Sequence, residues 1–133
     1  MKKVVFVCTH NSGRSQMAEA FAKRLGKGKI IAESAGAEPA DHLNPQAVQA
    51  MEEIDYDMSG HYPKPMTPEM VESADRIVTM GCGADAATCP AAFVPSEDWG
   101  LDDPRGQPIE NVREIRDQIR RRVEHLVEEL SLE

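Results

Sequence analysis

The chain lacks any apolar stretch long enough to cross a bilayer, since nothing in it approaches the roughly 18 consecutive apolar residues that a spanning helix needs. Its N-terminal run, Val4-Val5-Phe6-Val7, is also too short for the core of a signal peptide. Positive charge is in deficit. Fifteen Lys and Arg against 23 Asp and Glu give a formal charge of −8, which argues against sequence-independent binding to DNA, RNA or anionic lipid. Cysteine is scarce, three residues in 133. That odd number is too few for the disulfide framework of a small secreted protein and points to a reducing, cytoplasmic setting with thiols available for reaction. Internal repeats and linkers are absent as well. At this length, against a prior of roughly 150 residues per domain, residues 1–133 are expected to form one domain that buries its own core without disulfides or structural metal.

What is present alternates between strand and helix patterns. Val4 to Val7 is a β-branched and aromatic run of the kind buried on both faces of a parallel sheet. A short loop follows, and from Ser15 a helix-forming segment carries Met17, Phe21 and Leu25 at i, i+4 spacing and stops at Gly26. Lys29 to Ser34 reads as a second strand. Asn44-Pro45 looks like an N-cap followed by proline at the first helical position, opening a helix to about Ile54. His61 to Pro68 holds three prolines and is expected to be an ordered loop, after which Thr67-Pro68-Glu69-Met70 restarts a short helix. Asp75 to Met80 is a third strand, Gly81 to Pro90 a mobile loop, and the segment from Phe93 to Trp99 holds a short last strand. From Pro108 on, Val112, Ile115, Ile119, Val123, Leu126, Val127 and Leu130 form one apolar stripe, predicting a long helix that packs on the sheet. The fold class is α/β, a small doubly wound parallel sheet of about four strands flanked by helices. In such a sheet the ligand lies beyond the carboxyl ends of strands one and three.

The chemistry concentrates in the first loop. Cys8 and Arg14 bracket Thr9-His10-Asn11-Ser12-Gly13 between a buried strand and a helix start. Consecutive backbone N–H groups in such a loop, with those of the helix's first turn, form a nest for a tetrahedral oxyanion, and Arg14 adds a bidentate fork. Asn11 and Gly13 are the residue types that tolerate a left-handed backbone. The same positive field stabilises a thiolate, the nucleophilic form of cysteine, and Ser15 is placed to donate a hydrogen bond to it. Other readings stand beside these. Cys8 is also a small apolar residue at the end of a core strand, Arg14 a surface helix residue and Ser15 a helix cap.

Cys-x5-Arg-Ser directly after the first strand resembles the active-site signature of the low-molecular-weight protein tyrosine phosphatases, and the likeness covers essentially the whole chain. In that superfamily an Asp before a Pro, late in the chain, protonates the leaving group. Asp103-Pro104 in W-G-L-D-D-P matches it, with Asp102 the weaker candidate; without the resemblance, Asp-Pro reads as a turn initiator.

The later cysteines divide siblings within the superfamily. Reduction of an oxyanion needs two electrons, which protein thiols supply by becoming a disulfide. Cys82 and Cys89 follow the third strand, at the sheet end expected to carry Cys8. Together with the opening V-C-T-H-N-S-G-R-S-Q-M-A-E, they make the chain resemble the thioredoxin-linked arsenate reductases. The resemblance implies that Cys8 attacks arsenate held by residues 9–15 while Asp103 protonates the departing oxygen. It further implies that Cys82 then attacks Cys8 to release arsenite, and that Cys89 closes a Cys82–Cys89 disulfide for thioredoxin to reduce. Phosphate and sulfate are expected as substrate analogues, no cofactor is expected, and the protein is expected to act as a monomer. Gly81-Cys82-Gly83 departs from the Leu-Cys pattern and resembles relatives that use a small thiol such as mycothiol, although those often space their cysteines more closely. Incidental thiols and a zinc site remain as other readings, the latter disfavoured because zinc sites prefer C-x2–4-C spacing. A phosphatase with regulatory cysteines and a non-catalytic oxyanion sensor are the alternatives in function.

Two more departures bear on the loop. His10 replaces a glycine and Gly13 a dispensable cysteine of some members. Some members hold potassium with an Asn, a Glu, a Ser and a later Asp. Asn11, Glu19 and Ser34 match, but Pro63-Lys64 stands where the Asp would fall, so a Lys64 ammonium is expected in that space and no metal requirement follows. His42, His61 and His125 are assigned no role, and Trp99 is expected to anchor the core.

Overall fold

The computed structural model of the protein describes residues 1–81 and 97–132. The mobile-loop expectation for Gly81 to Pro90, including Cys82 and Cys89, and the Phe93-Val94 part of the last strand therefore lie outside the described residues, apart from Gly81. Strand β1 (Lys2–Cys8) is central, with β2 (Ile30–Gly36) on one side and β3 (Arg76–Thr79) on the other, and β4 (Glu97–Asp98) beyond β3. All three pairings are parallel. The order β2-β1-β3-β4 reverses direction between β1 and β3, which opens a crevice at their carboxyl ends.

The continuous apolar run of β1 has its cause in that central place. Val4 and Phe6 face one core cluster, with Cys8, while Val5 and Val7 face another, and all four apolar residues are at most 1% exposed. The larger face is covered by α1 (Arg14–Leu25), α2 (Pro45–Glu52) and α4 (Ile109–Ser131). The smaller face carries Met66, Met70 and Ala74 from α3 (Pro68–Ser73) and its flanks, beside Ile77 of β3.

Helix ends follow their local chemistry. The Asn44 side chain accepts from the N–H groups of Gln46 and Ala47 to open α2, and Thr67 Oγ1 accepts from Met70 N–H to open α3. The N–H of Gly26 closes α1 on the Ala22 carbonyl. Helix α1 begins at Arg14, one residue earlier than its pattern predicts, so Ser15 lies inside the helix and is not its cap. The stripe of α4 is buried as expected, but it lies chiefly against α1 and α2 rather than on the strands. The cause is α1 itself, buried from Arg14 to Ala22 because it already occupies the sheet on this face. Trp99, 7% exposed, packs at 5.8 Å from Phe6 between ring centroids and closes the core beneath the last loop. Among the described residues no helix is long and apolar enough to cross a membrane.

Gly36, at the end of β2, meets the loop after Cys8 so closely that an added Cβ would lie 2.8 Å from the Thr9 carbonyl oxygen and 3.0 Å from the Asn11 nitrogen. Gly36→Ala is expected to destabilise the protein by about 1–3 kcal/mol, as overpacking against backbone does, and to weaken phosphate binding at the loop. Urea unfolding and phosphate titration of the variant measure both effects.

Candidate active site

The loop from Cys8 to Arg14 is tied down by its carbonyls. Those of Cys8, Thr9, His10 and Ser12 accept from the N–H groups of Ala37, Glu38, Ala40 and Asn44, so the segment after β2 pulls each of them away from the centre of the loop. The N–H groups of His10, Ser12, Gly13 and Arg14 donate to no described residue, leaving the nest an anion needs. Asn11 takes the left-handed turn, with φ of 51°. Gly13 does not. Its φ is −134°, and the reason for glycine there is contact: a Cβ would sit 3.2 Å from Cγ of Pro104.

Arg14 is anchored rather than loose. Its Nη1 donates to the carbonyls of Leu101, at 2.7 Å, and Met80, at 3.2 Å, and the side chain is buried. Nε and Nη2 donate to no described residue and remain as the fork. Cys8, 5% exposed, receives the Asn11 N–H at 3.2 Å and lies 2.9 Å from Ser15 Oγ. A cavity of about 30 Å³ collects Cys8, Thr9, His10, Ser12, Gly13 and Arg14 from the loop, and Asn44, Asp103, Pro104 and Arg105 from opposite. Asp103 is thus at the cavity and Asp102 is not among its walls; the Asp103 carboxylate accepts from Arg105 N–H at 3.0 Å. Asn11 and Ser15 stand behind this cavity rather than in its wall. A groove of about 710 Å³ opens beside it, sharing His10, Ser12, Asn44 and Arg105.

Behind the loop is a polar cluster that the sequence reading caught only in part. Ser34 Oγ donates to Glu19 Oε1 at 2.6 Å, Lys23 Nζ lies 2.8 Å from Glu19 Oε2, and Lys64 Nζ lies 3.6 Å from Oε1. Burial acts to raise the Glu19 carboxyl, but hydrogen bonds from Lys23 and Ser34 and the charges of Lys64 and Lys23 together hold it below the usual range. The Lys64 ammonium is therefore near Glu19, and among the described residues no group of three or more His, Cys, Asp or Glu is arranged for a metal ion. His61, to which the sequence assigned nothing, lies 3.0 Å from Gln16 Oε1 through Nδ1 and 3.8 Å from Glu19. Burial holds its pKa below 6.5 against the pull of Glu19. Its partner Gln16 is 45 residues away in sequence, so no spacing signal exists to find. Gln16 is likewise marked only by the fold: its side chain is 1% exposed, and its partners are Asn11, Tyr62 and His61.

Fold and site define a class, an α/β protein with a cysteine thiol set in an oxyanion-binding loop at a topological switch point. The chain belongs to the low molecular weight phosphotyrosine protein phosphatase family, whose sequence profile matches residues 3–133. It is 43% identical, over 98% of its length and 100% of the relative's, to the glutaredoxin arsenate reductase of Synechocystis. Among solved structures, an arsenate reductase in its phosphate-binding state superposes with a TM-score of 0.85 at 43% identity, covering 98% of this chain and 100% of the other. The thioredoxin-dependent arsenate reductase of Corynebacterium glutamicum superposes with a TM-score of 0.79 at 31% identity, covering 99% of this chain and 63% of that one.

Arg14→Lys loses the fork and the Nη1 anchor together, and phosphate affinity measured by titration calorimetry is expected to fall by about 10- to 100-fold, the size of one or two charge-assisted hydrogen bonds. The pKa shifts behind the loop give a signed pH dependence. His61, depressed, leaves stability unchanged above 6.5 and costs stability below it, where the unfolded chain takes up a proton that the folded one refuses. Glu19, also depressed, contributes stability above 4.5 that is lost as pH falls through its folded value. Urea midpoints are expected to decline from pH 7 to 5 and again below 4.5, and His61→Gln is expected to flatten the upper part of the decline.

Proposed function

We propose that this protein is an arsenate reductase in which Cys8 is the nucleophile, Thr9, His10, Ser12, Gly13 and Arg14 hold the oxyanion with Asn11 and Ser15 behind them, and Asp103 is the general acid. The observation that supports the reading most is the match over 98% of the chain to an arsenate reductase at 43% identity; the cavity that gathers Cys8, Arg14 and Asp103 agrees with it. The Cys8 thiolate attacks As(V), an arsenic-bound hydroxyl leaves as water with a proton from Asp103, and a sulfur–arsenic bond forms. The Cys82 thiolate then attacks Cys8 Sγ. The sulfur–arsenic bond breaks, its electron pair leaves with arsenic as As(III), and a Cys8–Cys82 disulfide remains. Attack by Cys89 on Cys82 returns Cys8 as a thiolate and leaves a Cys82–Cys89 disulfide, so two thiols have supplied the two electrons. Thioredoxin reduces that disulfide. The name of the Corynebacterium glutamicum relative supports this donor.

A second donor has its own support: the Synechocystis relative is a glutaredoxin arsenate reductase, and the glycines beside Cys82 point toward a small thiol such as mycothiol. The chain works as a one-domain cytoplasmic monomer without a metal or cofactor. Because formation of the thiol adduct is shared with phosphate ester hydrolysis, a weak phosphatase activity accompanies reduction.

The test is arsenate-dependent NADPH consumption with thioredoxin and its reductase, set beside glutathione with glutaredoxin. Wild type is expected to turn over with thioredoxin. Cys8→Ser and Cys82→Ser are expected to be inactive, and Cys89→Ser to stop after one round with a Cys8–Cys82 disulfide detectable by mass spectrometry. Full activity of both Cys82→Ser and Cys89→Ser would sink the relay, and turnover with glutaredoxin alone would reassign the donor. Asp103→Asn is expected to lower kcat by about 10²- to 10⁴-fold, the usual worth of a general acid.

A further inference from the structure

The hydrogen bonds behind Cys8 have a fixed direction that can be read from the backbone groups at their ends. The Gln16 carboxamide has its Nε2 within 3.1 Å of the Asn11 carbonyl, 2.9 Å of Asn11 Oδ1 and 2.8 Å of the Tyr62 carbonyl. Backbone carbonyls only accept, so the nitrogen end of Gln16 must face them. Its oxygen end then faces His61 Nδ1 at 3.0 Å, and that ring nitrogen carries the hydrogen. Asn11 is settled the same way. The Lys64 N–H, which only donates, lies 2.9 Å from Asn11 Oδ1, so the Asn11 amide must turn its Nδ2 toward Ser15 Oγ, at 2.7 Å. Ser15 receives a donor there, and its own hydrogen is directed to Cys8 Sγ at 2.9 Å.

We infer that Gln16 is a positioning residue for the Cys8 nucleophile, acting through Asn11 and Ser15 to aim a hydroxyl hydrogen at the sulfur. Gln16 touches neither Cys8 nor the cavity. It works by supplying donors to Asn11 Oδ1 and to the Asn11 carbonyl, which with the Lys64 N–H leaves the Asn11 amide one orientation. Were that amide to reverse, its oxygen would face Ser15, and the hydroxyl hydrogen would turn from the sulfur to the amide. Gln16, Asn11 and Ser15 are all at most 1% exposed, so water cannot substitute for a missing donor. His61 completes the chain on the outer side by holding Gln16 Oε1.

The inference rests on Cys8 being the reactive thiol, and its test reads thiol reactivity without arsenate turnover, so it stands or falls separately from the reductase reading. In a Cys82→Ser/Cys89→Ser background Cys8 is the sole thiol of the chain, and its rate of alkylation by iodoacetamide at pH 7 is followed by mass spectrometry. Gln16→Met keeps the length of the side chain and removes its donors. The alkylation rate is expected to fall by about 5- to 10-fold, the effect of one misdirected hydrogen bond, while inorganic phosphate affinity stays within about 2-fold because the anion meets the loop N–H groups and Arg14. In a Ser15→Ala background Gln16→Met is expected to add nothing, since the hydroxyl through which it acts is gone. An unchanged alkylation rate, an equal fall in the Ser15→Ala background, or a parallel loss of phosphate affinity would overturn the assignment. Should Gln16→Met not fold, Asn11→Asp is expected to lower the alkylation rate in the same direction, because a carboxylate can only accept from Ser15. An unchanged rate in that variant overturns it equally.

Discussion

An anion site made of backbone N–H groups exists only if the carbonyls of the same peptides are satisfied elsewhere, and that constraint organises this molecule. The carbonyls of Cys8, Thr9, His10 and Ser12 are drawn outward by four N–H groups of the segment from Ala37 to Asn44. That segment hangs from the end of β2, paired to β1 through Cys8 and Gly36, and ends at the cap of α2. The central strand, the second strand and the second helix therefore converge on the loop from Cys8 to Arg14. Gly36 is glycine because β2 must approach the loop backbone closely enough for this to happen. Arg14 is tied in the same manner from the far side, through the carbonyls of Met80 and Leu101 at the ends of β3 and the last loop. Preorganisation of this kind means that the donors are already aimed when the anion arrives, so binding does not have to order them.

Net charge says little about such a site. The chain carries −8 and is expected to attract a small anion, because the attraction comes from peptide dipoles, one helix terminus and one guanidinium within a few ångströms. A distant carboxylate on α4 acts across water and is screened over roughly a Debye length of 8 to 10 Å. Behind the loop, the Glu19 carboxylate is answered by Lys23 and Lys64.

Much of the fold was legible because its signals are local. The run of β1, the Asn44-Pro45 start of α2, the Thr67 cap of α3 and the stripe of α4 each state their structure within a few residues. The loop was legible too, as a spacing between Cys8 and Arg14. What escaped was set by neighbours distant in sequence. For Ser15 the hydrogen bond to Cys8 is legible in the sequence, with Oγ 2.9 Å from Sγ, whereas the cap reading fails because the helix begins a residue earlier. Gly13 was read as a left-handed position when its constraint is the Pro104 ring across the cavity. His61 was given no part, since Gln16 becomes its partner only once the three-proline loop is folded against α1. The surface that α4 covers depended on how much of the sheet α1 had already taken, a competition that periodicity alone does not encode.

A buried carboxylate directly behind an anion-binding loop is at first sight a contradiction, since it would weaken the field that the loop sets up. The resolution lies in what surrounds Glu19. Uncompensated, a carboxylate at 3% exposure would be expected to take up a proton. Ionised and paired with two ammonium groups, it becomes an anchor whose net charge is cancelled locally. Lys64 then serves twice: its side chain answers Glu19, and its backbone N–H fixes Asn11 Oδ1. The two roles are linked, because the ion pair pins the loop that presents the N–H. The charge cluster thus holds the geometry around Cys8 while leaving the field at the cavity to the peptide dipoles and Arg14.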